Sequence, residues 1–208
     1  MRRVTGYAPI ERAALANLMA ELGPNAPTLC EGWTTRDLAA HLIVRATRAD
    51  AAAGIALRGL AEHTKQVQAQ VAARPWPALL AAVRRRPWWA LLLDEAVNRN
   101  EYFIHHEDVR RAQPGWQPRQ LPPEFAVALW AGLRTPARLA LRRTPAQVTI
   151  TAPGHGSVVA GRGGPVVDLV GPPAELLLFV TGRQAHAQVE LAGPAEITEQ
   201  MRIRRYGR

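Results

Sequence analysis

The sequence predicts an α+β protein, a helical bundle over residues 1–144 followed by a small α/β domain over 145–208. Two observations carry this. From Pro9 to about Arg143 the chain is rich in Ala, Leu and Arg at helical spacing, with almost no β-branched runs. After Thr144 the texture changes to short β-branched runs, VTITA, SVVAG and PVVDLVG, separated by Gly- and Pro-rich punctuation.

The elements follow in order. A first helix is expected from about Pro9 to Leu22, stopped by Gly-Pro-Asn-Ala-Pro. A second opens after Thr34, whose hydroxyl can cap it while Asp37 favours the positive end of its dipole, and runs to about Leu57. Helical segments near Ala61–Ala73 and Pro77–Val83 lead to a long helix from about Trp89 to Ala112, ended by Gln-Pro-Gly. Another spans about Pro122 to Arg143, with a bend or break expected at Pro136, where a hydrogen bond is lost and the preceding turn is crowded. Four main helices with short connections make a bundle. Beyond the three strands, Pro173 opens an amphipathic helix, AELLLFVTGR. A strand-like AQVEL and a terminal helix from Pro194 to about Ile203 complete the chain.

Composition limits what this fold can serve. At 208 residues and 48% apolar content the chain can bury one sizeable core or two small ones. No window approaches the roughly 18 apolar residues of a membrane span, and the N-terminus lacks the apolar core of a signal peptide, so a cytoplasmic protein without a membrane partner is expected. Cys30 is the single cysteine, which excludes an intrachain disulfide and an all-thiolate zinc site. It is expected as a buried small hydrophobe. The net charge of +9 comes from 25 arginines and one lysine spread along the chain, and the tight run Arg84, Arg85 and Arg86 forms no nucleic-acid motif. Nucleic acid is therefore not an expected partner.

The sharpest signal is polar residues where apolar ones belong. On the long helix Val97, Glu101, Ile104, His105, Asp108 and Ala112 share one face, which should meet the bundle core. Burying these charges without partners is costly, and a metal ion would satisfy them. The i, i+4 spacing lets Glu101 and His105 reach one ion. His41, between Leu38 and Leu42 on the second helix, also falls on an apolar face. His41, Glu101 and His105 thus make a ligand set suited to zinc with a fourth position open, and nickel or ferrous iron would accept it too. The bland alternative is a core histidine and an ordinary E-x-x-x-H ion pair. His106 points about 100° away from His105 and is expected at the surface or rim. His63, His155 and His186 show no ligand spacing, and Trp88, Trp89 and Tyr102 line either a pocket or the core.

LCEGWTTRDLAAHL, Leu29 to Leu42, and NEYFIHHEDVRRA, Asn100 to Ala112, together resemble the metal-binding signature of the mycothiol-dependent maleylpyruvate isomerase family, a branch of the DinB-like helical bundles. The family's Gly-Trp-Thr turn and ligand histidine fall on Gly32, Trp33, Thr34 and His41, and its E-x-x-x-H-x-x-D on Glu101, His105 and Asp108. The family appends a small α/β domain of sterol-carrier-like shape, whose helix LLLFVTGR, Leu176 to Arg183, resembles. The resemblance implies a thiol cofactor, mycothiol, approaching the open metal position and attacking a small electrophile, as a transferase or an isomerase. It also implies Asp108 as an acceptor behind a ligand imidazole or a helix-packing cap, and Arg183 as a second-domain catalytic group binding an anionic substrate or thiol cofactor, the alternative for Arg183 being an exposed arginine at a helix end. No local pattern specifies maleylpyruvate. The competing expectation is a non-catalytic metal-binding or sensing module, in which His106 or Cys30 closes the fourth position.

Overall fold

The computed structural model describes residues 6–47, 61–85 and 95–204. It is α+β, with eight α-helices and one four-stranded sheet among the described residues. The chain forms two compact units, Met1–Gln117 and Pro118–Arg208.

The first unit holds α1 (Tyr7–Leu22), α2 (Thr35–Thr47), α3 (Ala61–Ala72), α4 (Trp76–Arg84) and α5 (Glu95–Arg110). No side chain of its own caps α1; instead Glu95 Oε1 accepts the Ala8 N–H at 2.8 Å, placing a carboxylate at the positive end of the helix. A Cβ at Gly6 would stand 2.6 Å from that carboxylate, so a larger residue there would displace the capping Glu95 side chain. Thr34 and Asp37 form a reciprocal cap on α2: Asp37 Oδ2 accepts the Thr34 N–H at 2.9 Å and its hydroxyl at 2.6 Å. Residues 48–60 and 86–94 lie outside the description, and with them the expected continuation of α2 to Leu57, Arg86, and the start of the long helix with Trp88 and Trp89.

The core sits around α2, which is buried from Leu38 to Val44 on every face, and is filled by Leu15 and Met19 of α1, Val67 and Val71 of α3, and Leu79 and Val83 of α4. α1 packs on α5 and α4, and α2 on α3 and α4. Fully burying each such Leu or Val contributes about 1.5–3 kcal/mol. Against this apolar packing α5 is unusual: Asn100, His105, His106, Glu107 and Asp108 are all buried beside Phe103, Ile104 and Val109.

The second unit holds α6 (Pro123–Leu141), β1 (Gln147–Ala152), β2 (Gly156–Gly161), β3 (Val166–Val170), α7 (Pro173–Val180), β4 (Glu190–Ala192) and α8 (Ala195–Ile203), with one turn of 3-10 helix at Gln184–His186. The sheet order is β2-β1-β3-β4, with β1 and β3 parallel and the outer pairs antiparallel. Alternation works as expected for a sheet with one buried face: Val148, Ile150 and Ala152 of β1, Val158 and Ala160 of β2, and Val167 and Leu169 of β3 point inward. Gly161, at φ 92°, closes β2 where a Cβ would lie only 2.0 Å from the Ala146 carbonyl oxygen.

The helix at 123–141, expected with the N-terminal bundle ahead of a boundary near 145, packs on α7 and β2 and falls within the unit Pro118–Arg208. The change from helical to strand texture near Thr144 marks a change of element type, not of packing partner. Of the bend or break expected at Pro136, the break does not occur, and α6 runs through the proline. The proline costs about 3 kcal/mol. Phe125, Leu129, Leu133, Ala137 and Leu141, each four residues from the last, bury a continuous stripe that offsets this.

Candidate metal centre

Two segments build the site: the turn at 28–34 with the helix α2 that follows it, and α5. The turn is held by its own bonds, Thr28 Oγ1 to the Trp33 carbonyl at 2.9 Å and the Trp33 N–H to the Cys30 carbonyl at 2.9 Å. It is tied to α5 by the Leu29 N–H, which donates to the Asp108 carbonyl at 3.0 Å. The Trp33 ring then lies 5.1 Å from that of His41, and the rings of His41 and His105 meet edge to face at 5.3 Å.

Three of the predicted side chains converge. Glu101 Oε1 lies 3.3 Å from His105 Nε2 and 3.6 Å from His41 Nε2. Arg45, one turn after His41 on α2, brings its Nε to 3.2 Å from the same oxygen. Both histidines are buried and Glu101 is partly so. The spacing fits a shared ion, because ligand atoms about 2.0–2.1 Å from a tetrahedral ion lie roughly 3.3–3.4 Å apart.

Behind His105 stands a second set of groups. Asp108, fully buried, accepts from His105 Nδ1 at 2.8 Å, and the Cys30 thiol donates to the same Oδ2 at 3.2 Å. With its proton on Nδ1, a neutral His105 turns the Nε2 lone pair toward Glu101, as a metal ligand requires. Cys30 is therefore not only the small hydrophobe expected from sequence: it is half-buried and hydrogen-bonded, 4.0 Å from His105 Nδ1. Asp108 serves as the imidazole acceptor, one of the two roles expected for it.

Two clusters among the described residues could hold a metal: His41, Glu101 and His105, and Cys30, His105 and Asp108. They use opposite nitrogens of one imidazole. In the second, the 2.8 Å separation of Nδ1 and Oδ2 is that of a charge-assisted hydrogen bond.

The electrostatics follow from burial and pairing. Burial works to raise the Glu101 carboxyl, but hydrogen bonds from His105 and His41 and the charges of His105 and Arg45 overcome it and hold it well below the usual carboxylate range. Burial likewise works to lower His105, and its bonds to Asp108, Cys30 and Glu101 reverse this, raising it well above the ordinary imidazole value. His41 is lowered, chiefly by burial, with Glu101 compensating only in part. Without an ion, a proton shared between His105 and Glu101 satisfies the pair. An ion at that place would replace the proton and take up the His41 lone pair as well.

The other expectations divide. His106 was expected at the surface or rim, yet it is buried, with Nδ1 2.9 Å from Glu11 Oε2 on α1. The 100° turn from His105 aims it at a different neighbouring helix, not at water. Neither it nor Cys30 belongs to the cluster of His41, Glu101 and His105. Tyr102 packs against the apolar core, His63 is exposed, and His155 and His186 are half-buried and belong to no ligand cluster among the described residues. Arg183 follows α7, half-buried, with its Nη1 bonded to the Thr181 carbonyl. Arg45 was missed from sequence, although its position four residues after His41 on a helix could have marked it.

No protein-family model matches the sequence, and comparison with curated proteins gives no match. Solved structures do match. The chain is similar in fold to mycothiol-dependent maleylpyruvate isomerase. Against the crystal structure of that isomerase the TM-score is 0.59 at 17% identity, over 89% of this chain and 90% of the other. Against the crystal structure of a histidine-to-alanine mutant of the isomerase it is 0.62 at 15% identity, over the same shares. At such identity the isomerase likeness is one of fold. None of the described helices is long and apolar enough to cross a membrane.

Proposed function

We propose that this chain is a divalent-metal-binding enzyme, a zinc-dependent thiol-linked transferase or isomerase that uses mycothiol and acts on a small electrophile. The observation that carries the reading is the convergence of His41 Nε2, Glu101 Oε1 and His105 Nε2, with Asp108 fixing His105 from behind. The fold it shares with a mycothiol-dependent isomerase supports the choice of thiol. We read its two parts as a DinB-like bundle and a sterol-carrier-like α/β domain, and its location as the cytoplasm, where low-molecular-weight thiols stay reduced.

Two imidazoles and a carboxylate favour zinc over harder cations, while nickel and ferrous iron accept the same donors. An ion held there would supply Lewis acidity, lowering the proton affinity of a thiol brought to the open position. The protein's own groups orient it: Asp108 fixes the His105 tautomer, and Trp33 packs beside the His41 ring. Arg183 is proposed as the catalytic group that binds the anionic part of substrate or thiol, a role suited to guanidinium.

Elemental analysis of the untagged protein beside His105→Ala tests the reading. About one equivalent of zinc, nickel or iron in the parent and its loss in the variant are expected. If neither protein holds metal after reconstitution, the buried polar stripe is a hydrogen-bond network and the reading is wrong. Retained metal without turnover of mycothiol and electrophiles would leave the non-catalytic module.

A further inference from the structure

The second unit contains a cleft that the metal reading does not use. It measures about 710 Å³ and is lined only by residues of that unit, at the carboxyl ends of the parallel strands β1 and β3 and at the start of α7. Pro153, Val170, Pro172 and Val189 give it apolar walls. Arg119 and His155, both half-buried, bring a guanidinium and an imidazole to them.

Local sequence builds this place. Pro172, at φ −60°, precedes α7 and Pro173 opens it, so the first N–H groups of the helix are those of Ala174 and Glu175, which have no intrahelical acceptor. Glu175 does not line the cleft. It is buried, and its Oε2 accepts the Gln188 N–H at 2.8 Å, which fastens the segment 188–190 that forms one wall. Parallel strands that end beside the start of a helix leave a crevice where open α/β sheets bind ligands.

The chemistry of the lining selects the ligand. Arg119 adds a full positive charge to the positive end of α7, and both favour an anion. Of the lining residues only Glu190 carries a carboxylate, and it is exposed on β4, where water screens it most strongly. Proline rings at 153, 172 and 173 keep the walls rigid, and a flat ring loses less rotational freedom on entering than a flexible chain of equal area. We propose that this cleft is a second ligand site, which takes an aromatic monocarboxylate, its carboxylate held by Arg119 and the first turn of α7 and its ring laid against the proline walls. None of the lining residues belongs to the cluster of His41, Glu101 and His105, and Arg183 follows the other end of α7. The site therefore stands or falls independently of the metal.

The test is calorimetric titration of full-length protein with chelator present, so that no ion can hold a carboxylate. The probes are 2-naphthoate, the uncharged 2-naphthalenemethanol and the flexible decanoate. The parent is expected to bind 2-naphthoate at least about tenfold more tightly than either of the others, the scale of a charge-assisted hydrogen bond. Arg119→Gln should remove about that tenfold from 2-naphthoate and leave the alcohol unchanged. Ala126→Trp and Val189→Trp each fill the cleft from a different wall and should abolish binding of all three, with melting temperature as the check that each variant folds. A parent that gives no binding heat with 2-naphthoate at millimolar concentration overturns the inference, as does an alcohol or decanoate that binds as tightly. Unchanged 2-naphthoate affinity in the folded tryptophan variants places the ligand elsewhere and overturns it too. Each of these failures leaves the metal content, measured on the protein without chelator, as it was.

Discussion

Replacing Asp108 tests whether the buried groups behind His105 serve the metal or only the packing of α5. Its Oδ2 is fully buried and accepts from both His105 Nδ1 and the Cys30 thiol. In Asp108→Asn the side-chain oxygen can still accept the Nδ1 proton, so orientation survives and only the negative charge is lost. In Asp108→Ala both go. Groups that fix a ligand histidine are worth about 10–100-fold in metal affinity. Asparagine should therefore lie near the tenfold end, roughly 1.4 kcal/mol, and alanine near the hundredfold end, roughly 2.7 kcal/mol. Zinc affinity measured by chelator competition above pH 7, beside the melting temperature of each metal-free protein, gives the two numbers separately. Zinc affinities within twofold across all three proteins would refute the reasoning, and would mean that Asp108 holds the turn at Leu29 and Cys30 against α5 and nothing more.

Two further outcomes are expected. In metal-free protein the raised His105 contributes stability that is complete below its unfolded value of about 6.5 and is lost as pH rises through its higher folded value. Glu101, held low, contributes above its unfolded value near 4.5. The lowered His41 works against stability only below about 6.5, so above that pH His105 is the one of the three still titrating. Melting with chelator should thus fall as pH rises above 6.5, and the stabilisation gained on adding zinc should grow, because the ion replaces a proton. A zinc increment that shrinks with pH would contradict a ligand role for His105. Separately, Glu107→Ala should destabilise the fold by about 3–5 kcal/mol, since it removes a buried carboxylate that pairs with the buried Arg111 at 2.6 Å and with Arg110 at 3.0 Å. Denaturant melts read this, and a loss under about 1 kcal/mol would show that Arg111 is held well enough by the Trp116 ring, 4.7 Å away.

Legibility followed the range of each interaction. Periodicity placed the helices, because an apolar stripe such as Phe125 to Leu141 is written into spacing alone, and β-branched runs between glycines placed β1, β2 and β3. The same local rules placed Thr34 and Asp37 at the start of α2. The convergence of His41, Glu101 and His105 was legible as three polar residues on faces that ought to be apolar, since burying them unpaired is too costly to be accidental.

What the sequence left open depends on which surface lies opposite. His106 is as polar as His105, and only the position of Glu11 on α1 makes it a buried structural pair. Cys30 could be read as a small apolar residue until the turn carrying it was laid against Asp108, more than seventy positions away. Arg45 gains meaning only once Glu101 is across from it. The helix at 123–141 joined the second unit because its apolar stripe found α7 and β2. Local spacing determined where helices, strands and out-of-place polar groups fall; tertiary packing alone decided which of those groups meet, because the energy of burying a charge is set by its neighbour and not by its position in the chain.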